Sequence, residues 1–116
     1  MLEPRSNTLR RNVFADALVE ALSLADEVVL ASVFKSENIP EAERLVPEAV
    51  AEELRQGGTP ALALADAGAI VTEIAPRLRA GDVVAILSNG GFGNIYKLLP
   101  QTLATGVPQP DEAALR

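Results

Sequence analysis

Two polar stretches of the chain combine residue types that could bind an anionic ligand. One has the sequence EPRSNT at residues 3–8, the other SNGGFG at residues 88–93, and each precedes a segment that predicts a helix. Glycines let backbone N–H groups approach an anion, and the amino terminus of a helix carries partial positive charge. Arginine suits carboxylates and phosphates because its planar guanidinium donates two parallel hydrogen bonds. We therefore expect ligand binding at these two stretches.

The first stretch offers Arg5 as its best candidate for contact with a ligand. Arg5 follows Pro4 at a predicted strand-to-helix corner, which should carry its side chain over the edge of the sheet. Ser6, Asn7 and Thr8 could also contact the ligand, but each could instead cap the following helix, and we expect that at least one does.

The second stretch fits no standard nucleotide-binding motif. It is neither GxGxxG nor GxxxxGK[ST], and it follows the last predicted strand rather than the first. A plain strand-to-helix turn is therefore the alternative to a ligand-binding loop. Phe92 lies between two glycines and favours the ligand-binding interpretation, because an exposed ring there is costly unless it packs on something.

The remaining charged residues are more typical of a solvent-exposed surface than of a catalytic or ligand-binding site. Arg10, Arg11 and Lys35 are interpreted as exposed, although Lys35 could meet an acidic ligand at the same edge of the sheet. The glutamates in the middle of the chain predict a solvated face; they are Glu41, Glu43, Glu48, Glu52 and Glu53. No two carboxylates have the spacing of an acid–base pair or a metal site, so we expect neither a catalytic residue nor a metal ligand here.

Composition narrows the class of protein. The 116 residues suit one domain, and 48% are hydrophobic, with three Phe, one Tyr and no Trp. The chain has no Cys and no His, which removes thiolate metal sites and the usual general base. A net charge of -6 argues against nucleic-acid binding. No apolar run approaches the roughly 20 residues of a membrane span, and no signal peptide is visible, so we expect a cytoplasmic protein without a membrane partner.

Hydrophobic periodicity predicts alternating helices and strands in the order α-β-α-β-α-β-α. The predicted helices cover residues 8–22, 47–57, 66–78 and 94–99, the last of them stopped by Pro100. We expect Pro47 to begin the second helix, Asp66 to cap the third, and Pro76 to kink or end the third. The predicted strands cover residues 27–32, 59–65 and 83–87, and the last is the most convincing buried strand. This order predicts an α/β fold: a Rossmann-like, doubly wound, mostly parallel sheet with helices on both faces. Ligands bind such sheets at the carboxyl ends of the strands, where both polar stretches should lie.

The two ends of the chain depart from this pattern. A βα unit should begin with a strand, and only Met1 and Leu2 stand where that strand would be. We therefore expect a truncated leading strand in a chain cut from a longer protein, with exposed sheet edges that invite self-association. Residues 101–116 predict a loose tail with little periodicity.

EPRSNT at residues 3–8, followed by Arg10, Arg11 and Phe14, with SNGGFG some 80 positions later, resembles the C-terminal domain of the Mur ligases. The resemblance covers roughly residues 2–100 and is strongest to the branch that recycles murein peptides. It implies that residues 1–100 are the substrate-presenting domain and residues 101–116 a C-terminal tail. Asn94 stands where that branch usually has another glycine, and Tyr96 where it often has histidine.

The resemblance also implies a function. The full enzyme would join L-Ala-γ-D-Glu-meso-diaminopimelate to UDP-N-acetylmuramate, using ATP and Mg²⁺ bound mainly by a central domain outside this chain. ATP would activate the sugar carboxylate as an acyl phosphate, which the peptide amine attacks. The C-terminal domain would present that amine and help to close the ATP site, and it would be inactive alone.

The resemblance places one wall of the substrate site in the first stretch and the facing wall in the second. The residues carried over are Arg5, Ser6, Asn7, Thr8, Ser88, Asn89, Gly90, Gly91, Phe92 and Gly93. Within this set we expect Arg5 on a peptide carboxylate, Asn7 and Asn89 on polar groups of the peptide, and glycine N–H groups on an anion. The alternative function is a freestanding, non-catalytic α/β module that binds a nucleotide or an acidic metabolite.

Overall fold

A short parallel sheet lies between two pairs of helices in the computed structural model, which describes residues 1–105. The regular elements in chain order are α1 (Ala15–Leu22), β1 (Val28–Ala31), α2 (Pro47–Gln56), β2 (Ala61–Leu64), α3 (Ala67–Ile74) and α4 (Ile95–Ala104). Short 3₁₀ turns connect them. The described helices include none long and apolar enough to cross a membrane.

The sheet is parallel throughout and has residues 1–3 in its interior. β1 pairs with β2 on one side. On its other side, Leu2 forms parallel bridges to both Leu30 and Leu87. The spatial order is therefore β2, β1, residues 1–3, residues 83–87. This arrangement confirms the predicted α/β class, and residues 1–3 occupy the position expected for a leading strand.

Each face of the sheet is covered by one helix pair and has its own hydrophobic core. On the α3–α4 side, Ile70, Phe92 and Ile95 pack against Val29 of β1. On the α1–α2 side, Leu30 of β1 packs in a second core whose buried members also include Leu2, Val28, Leu45, Val50, Ala51, Leu54 and Ala61. β1 is buried on both faces, as its continuous apolar sequence predicts.

Several helix ends follow local rules that the sequence predicts. Pro47 is the first residue of α2, where its missing N–H costs no hydrogen bond, and Gly57 ends that helix. Asp66 caps α3, because its Oδ1 accepts from the N–H of Ala69 at 2.8 Å. Pro76 lies in the 3₁₀ turn that terminates α3.

The predicted helix over residues 8–22 is wrong in its first half. The α-helix begins only at Ala15, after a turn at residues 6–10 and a 3₁₀ turn at Asn12–Phe14. Arg11 is extended and bridges Arg44, and the carbonyl of Arg10 accepts from the N–H of Leu45 at 3.0 Å. This pairing takes the backbone groups that a continuous helix would use.

Residues 83–87 are not the buried strand that their sequence predicts. Only Leu87 forms a bridge, and Val83 is 94% exposed. Val84 and Ile86 pack on the α3–α4 core, whereas the alternate side chains Val83 and Leu87 project from the opposite face of the sheet. Helices α1 and α2 leave that face uncovered within the described residues.

Pro100 does not stop the last helix, contrary to the prediction. α4 continues through it to Ala104. Pro100 is exposed, so the carbonyl four residues earlier that loses its donor can be hydrated. Residues 106–116, most of the predicted tail, lie outside the described residues.

Candidate functional site

The carboxyl ends of the parallel strands bring the two polar stretches together. Residues 1–3 lead into Pro4 and Arg5, and residues 83–87 lead into Ser88, so the two loops start side by side. We name residues 4–8 the first loop and residues 88–94 the glycine loop. β1 contributes a third segment, because the N–H of Phe34 donates to the carbonyl of Pro4 at 3.1 Å.

Arg5 lies between the glycine loop and an aromatic ring. Its Cζ is 3.5 Å from the centroid of the Phe34 ring, a cation–π contact. A Cβ added at Gly90 would fall on the Arg5 guanidinium, so the absence of a side chain at this position makes room for the cation. The Arg5 side chain is 29% exposed, which leaves part of it open to a ligand.

Glu3 connects the two loops and was not among the predicted site residues. Its Oε1 accepts from Ser88 Oγ at 2.7 Å and lies 3.7 Å from the NH1 of Arg5. Ser88 Oγ in turn accepts from the N–H of Gly90 at 3.1 Å. The spacing of Glu3 and Arg5 was the available signal, because residues two apart in an extended segment project from the same face.

The other residues of the first loop divide into a cap and exposed groups. Ser6 Oγ accepts from the N–H of Leu9 at 3.1 Å, so Ser6 is the residue that caps the turn after the loop. Asn7 and Thr8 are exposed, as is Asn89 in the glycine loop. Their side chains can reach a ligand on the rim.

The glycine loop is anchored by its aromatic residue. Phe92 is 1% exposed and packs in the α3–α4 core, so its ring is not on the surface of the site. The backbone is left-handed at Phe92, Gly93 and Asn94, which turns the ring inward before α4 begins. A Cβ added at Gly93 would lie 2.8 Å from the Cβ of Ala67, so a side chain there would collide with α3.

The neighbouring cations have different surroundings. The NH1 of Arg10 donates to the carbonyl of Phe34 at 3.3 Å, and Arg11 forms an ion pair with Glu43 at 3.0 Å. Lys35 is exposed, with its Nζ 5.3 Å from the Phe34 centroid. Lys35 therefore remains available to an anion at the same rim as Arg5.

Some groups outside this rim have shifted pKa values. Burial lowers the pKa of the Met1 amine, which donates to the carbonyl of Ala85 at 2.9 Å inside the sheet. On α2, a hydrogen bond from Arg55 lowers the pKa of Glu52.

The rim offers hydrogen-bond donors to a ligand. Residues 1–105 contain no cluster of three or more His, Cys, Asp or Glu side chains that could hold a metal ion. Guanidinium, amide and backbone N–H groups, by contrast, converge where the two loops meet. Such donors recognise carboxylates and amides.

Comparison with known proteins gives a relative for nearly the whole chain. It is the protein of Escherichia coli (strain K12) named "UDP-N-acetylmuramate--L-alanyl-gamma-D-glutamyl-meso-2,6-diaminoheptandioate ligase", 33% identical over 114 residues. The chain is similar to this ligase over nearly its whole length. The alignment covers 98% of this chain but 22% of that ligase. No family model matches the chain, and no solved structure matches it significantly.

This relative confirms the recognition made from EPRSNT and SNGGFG. The fold brings these two segments to one rim. The hydrogen bond between Glu3 and Ser88, for example, joins residues that are 85 positions apart in the sequence. These two motifs thus lie at the carboxyl ends of the parallel strands, where ligands bind doubly wound sheets.

Proposed function

We propose that this chain is the C-terminal, substrate-presenting domain of a cytoplasmic, ATP-dependent amide ligase that joins L-Ala-γ-D-Glu-meso-diaminopimelate to UDP-N-acetylmuramate. The observation that carries the proposal is the Arg5 guanidinium, seated on Gly90 and Phe34 with part of its surface open at the rim. The substrates come from the name of the E. coli relative, which this chain matches over 98% of its own length.

In this proposal the rim residues bind and orient the peptide. Arg5 pairs with a carboxylate of the peptide, for which its planar guanidinium is suited. Asn7 and Asn89 donate and accept hydrogen bonds with peptide groups from the two sides of the rim. The N–H of Gly90 is already donated to Ser88 Oγ, so we assign the backbone contact with an anion to Gly91.

Catalysis requires the rest of the ligase. ATP, held with Mg²⁺ mainly by a central domain, supplies the activation of the UDP-N-acetylmuramate carboxylate. The described residues offer no donor set for Mg²⁺, and the chain's own contribution is to hold the peptide amine in line and to exclude water when the domain closes. Alone it is inactive.

A domain exchange tests this proposal. The matching 22% of the E. coli ligase is replaced by this chain, and ligation of the tripeptide to UDP-N-acetylmuramate is measured with Mg-ATP. We expect the chimaera to make product and an Arg5→Ala chimaera to show a raised KM for the tripeptide. A folded chimaera that binds UDP-N-acetylmuramate yet forms no product would overturn the proposal.

We also propose that the chain self-associates through the edge formed by residues 83–87. This edge has no charged residue within it, and the apolar side chains of Val83 and Leu87 are exposed on it. Val83→Lys places a charge on the edge and should shift sedimentation toward the monomer. Monomeric wild-type chain at high concentration would contradict this part of the proposal.

A further inference from the structure

Four residues form a closed set of contacts that joins the two loops of the rim. Arg5 packs on Gly90, Gly90 donates to Ser88, Ser88 donates to Glu3, and Glu3 faces Arg5. Two of these four contacts, Arg5–Gly90 and Ser88–Glu3, join the start of the chain to a segment near its end. The shape of the rim therefore depends on contacts between segments that are far apart in sequence.

Glu3 is the residue that makes this set close. Its side chain is 13% exposed and its Oε1 is shared between Ser88 Oγ at 2.7 Å and Arg5 NH1 at 3.7 Å. The shorter distance makes Ser88 its main partner, and the longer one leaves the guanidinium free to bind a second carboxylate. Charge-assisted hydrogen bonds of this kind are stronger than neutral ones.

We infer that Glu3 is a positioning residue: through Ser88 it fixes the glycine loop beneath the Arg5 guanidinium, so that Arg5 meets a carboxylate ligand already oriented. Phe34 supports the guanidinium through a cation–π contact, and Gly90 supplies the space that the guanidinium fills. Glu3 itself has no role in contact with the ligand. The ligand-binding part of this inference rests on the proposed function.

A side-chain NMR experiment tests the positioning directly and without ligand. The Nε–Hε resonance of Arg5 should lie upfield of ordinary arginines, because the guanidinium lies close to the Phe34 ring. Glu3→Ala should move it back toward the ordinary position, and Glu3→Gln should do so in part, because an amide oxygen still accepts from Ser88. An Arg5 resonance that stays unchanged in both variants would overturn the inference.

Two further variants separate positioning from general damage to the fold. Gly90→Ala puts a methyl group where the guanidinium lies; since a flexible side chain can move away, the fold should persist while the Arg5 resonance loses its ring shift. Glu43→Gln is the matched control, because it removes an ion pair with Arg11 outside the four-residue set. If Glu3→Ala does not fold, Glu3→Gln carries the test.

Titration with L-Ala-γ-D-Glu-meso-diaminopimelate gives the second readout. Glu3→Gln should weaken binding about threefold and Glu3→Ala about tenfold, while Glu43→Gln leaves it unchanged. Combining Glu3→Ala with Ser88→Ala should cost no more than the larger single effect, because both break one link. Additive losses would overturn the inference. If wild-type chain does not bind the peptide, the proposed function fails, and the Arg5 resonance still decides the positioning role.

Discussion

The two ends of the parallel sheet differ in what fills them. At the carboxyl end, Glu3, Arg5 and Ser88 contact one another and leave a shallow rim with a partly exposed guanidinium. At the amino end, a cavity of about 480 Å³ is lined by apolar side chains such as Val29 and Val84 and by the acidic residues Asp26, Glu27 and Asp82. The Met1 amine lies at this second end, buried enough to lower its pKa.

The cavity and the groups suited to an anionic ligand therefore lie at opposite ends of the same sheet. The amino-end cavity offers space and acidic residues, whereas the carboxyl end offers the partly exposed Arg5 guanidinium and the exposed Lys35, which suit an anionic ligand. In doubly wound sheets the crevice at the carboxyl ends holds the ligand, where loops and helix amino termini converge. We therefore assign binding to the shallower end.

The largest effect is expected from removing the anchor of the glycine loop. Phe92→Ala empties a site in the α3–α4 core and should lower the free energy of unfolding by about 3–5 kcal/mol. Phe14→Ala is the control, because Phe14 is 54% exposed and should change stability little. Urea unfolding measures both. Equal losses in the two variants would show that Phe92 is not the anchor that its burial indicates.

Ligand binding at the carboxyl end of the sheet can be weakened without unfolding the chain. Arg5→Ala should weaken binding of the tripeptide by about tenfold or more, and Arg5→Lys should recover only part of it because an ammonium lacks the planar pair of donors. Arg11→Ala, which removes a cation paired with Glu43, should leave the affinity unchanged. Isothermal titration measures the three affinities, and a loss in Arg11→Ala equal to that in Arg5→Ala would refute the assignment.

We expect a smaller change in stability at the left-handed turn between the glycine loop and α4. Asn94 has a φ of 64°, a conformation that Asn tolerates better than other side chains and Gly best of all. Asn94→Ala should destabilise by about 1 kcal/mol, whereas Asn94→Gly should stay within about 0.5 kcal/mol of wild type. Thermal unfolding checks the order, and an Ala variant as stable as the Gly variant would rule out backbone strain at this position.

The amino end predicts the smallest effect, seen as a dependence on pH. Burial lowers the folded-state pKa of the Met1 amine from its ordinary 8.0, so the unfolded chain binds more protons between the two values. The stability of this chain, measured alone, should therefore rise as the pH approaches 8.0 from below and level off above it. The chain has no His or Cys that would ordinarily titrate in this range. Acetylating the amine removes the charge and should remove the slope; a slope that survives acetylation would place its origin elsewhere.

Local rules accounted for much of the fold. The positions of Pro47, Asp66 and Pro76 predicted where α2 begins, how α3 is capped and how it ends, since each acts through the backbone next to it. The apolar run at β1 predicted a strand buried on both faces for the same reason. Features of this kind need only a few consecutive residues.

The predictions failed mainly where contacts between distant segments determine the local structure. The helix predicted from residue 8 is interrupted because the backbone at Arg10 and Arg11 pairs with residues 44 and 45. Residues 83–87 have the sequence of a buried strand, but burial depends on which helices cover them. Phe92 was expected to contact the ligand, but its left-handed backbone turns its ring into the core.

The sequence predicted that the two motifs lie together, but it did not predict the contacts between them. The two motifs do meet at one rim, as the parallel topology requires. The roles of Glu3 and Phe34 could not be predicted in the same way, because both depend on contacts made across the sheet.

The measurement that tests the central claim most directly is an NMR titration of the isotope-labelled chain with L-Ala-γ-D-Glu-meso-diaminopimelate, with Mg-ATP as a parallel titration. The account predicts tripeptide shifts concentrated in residues 5–8 and 88–94 and none of comparable size around the amino-end cavity. Shifts produced by Mg-ATP alone, tripeptide shifts centred on the amino-end cavity, or no response to millimolar tripeptide would contradict it.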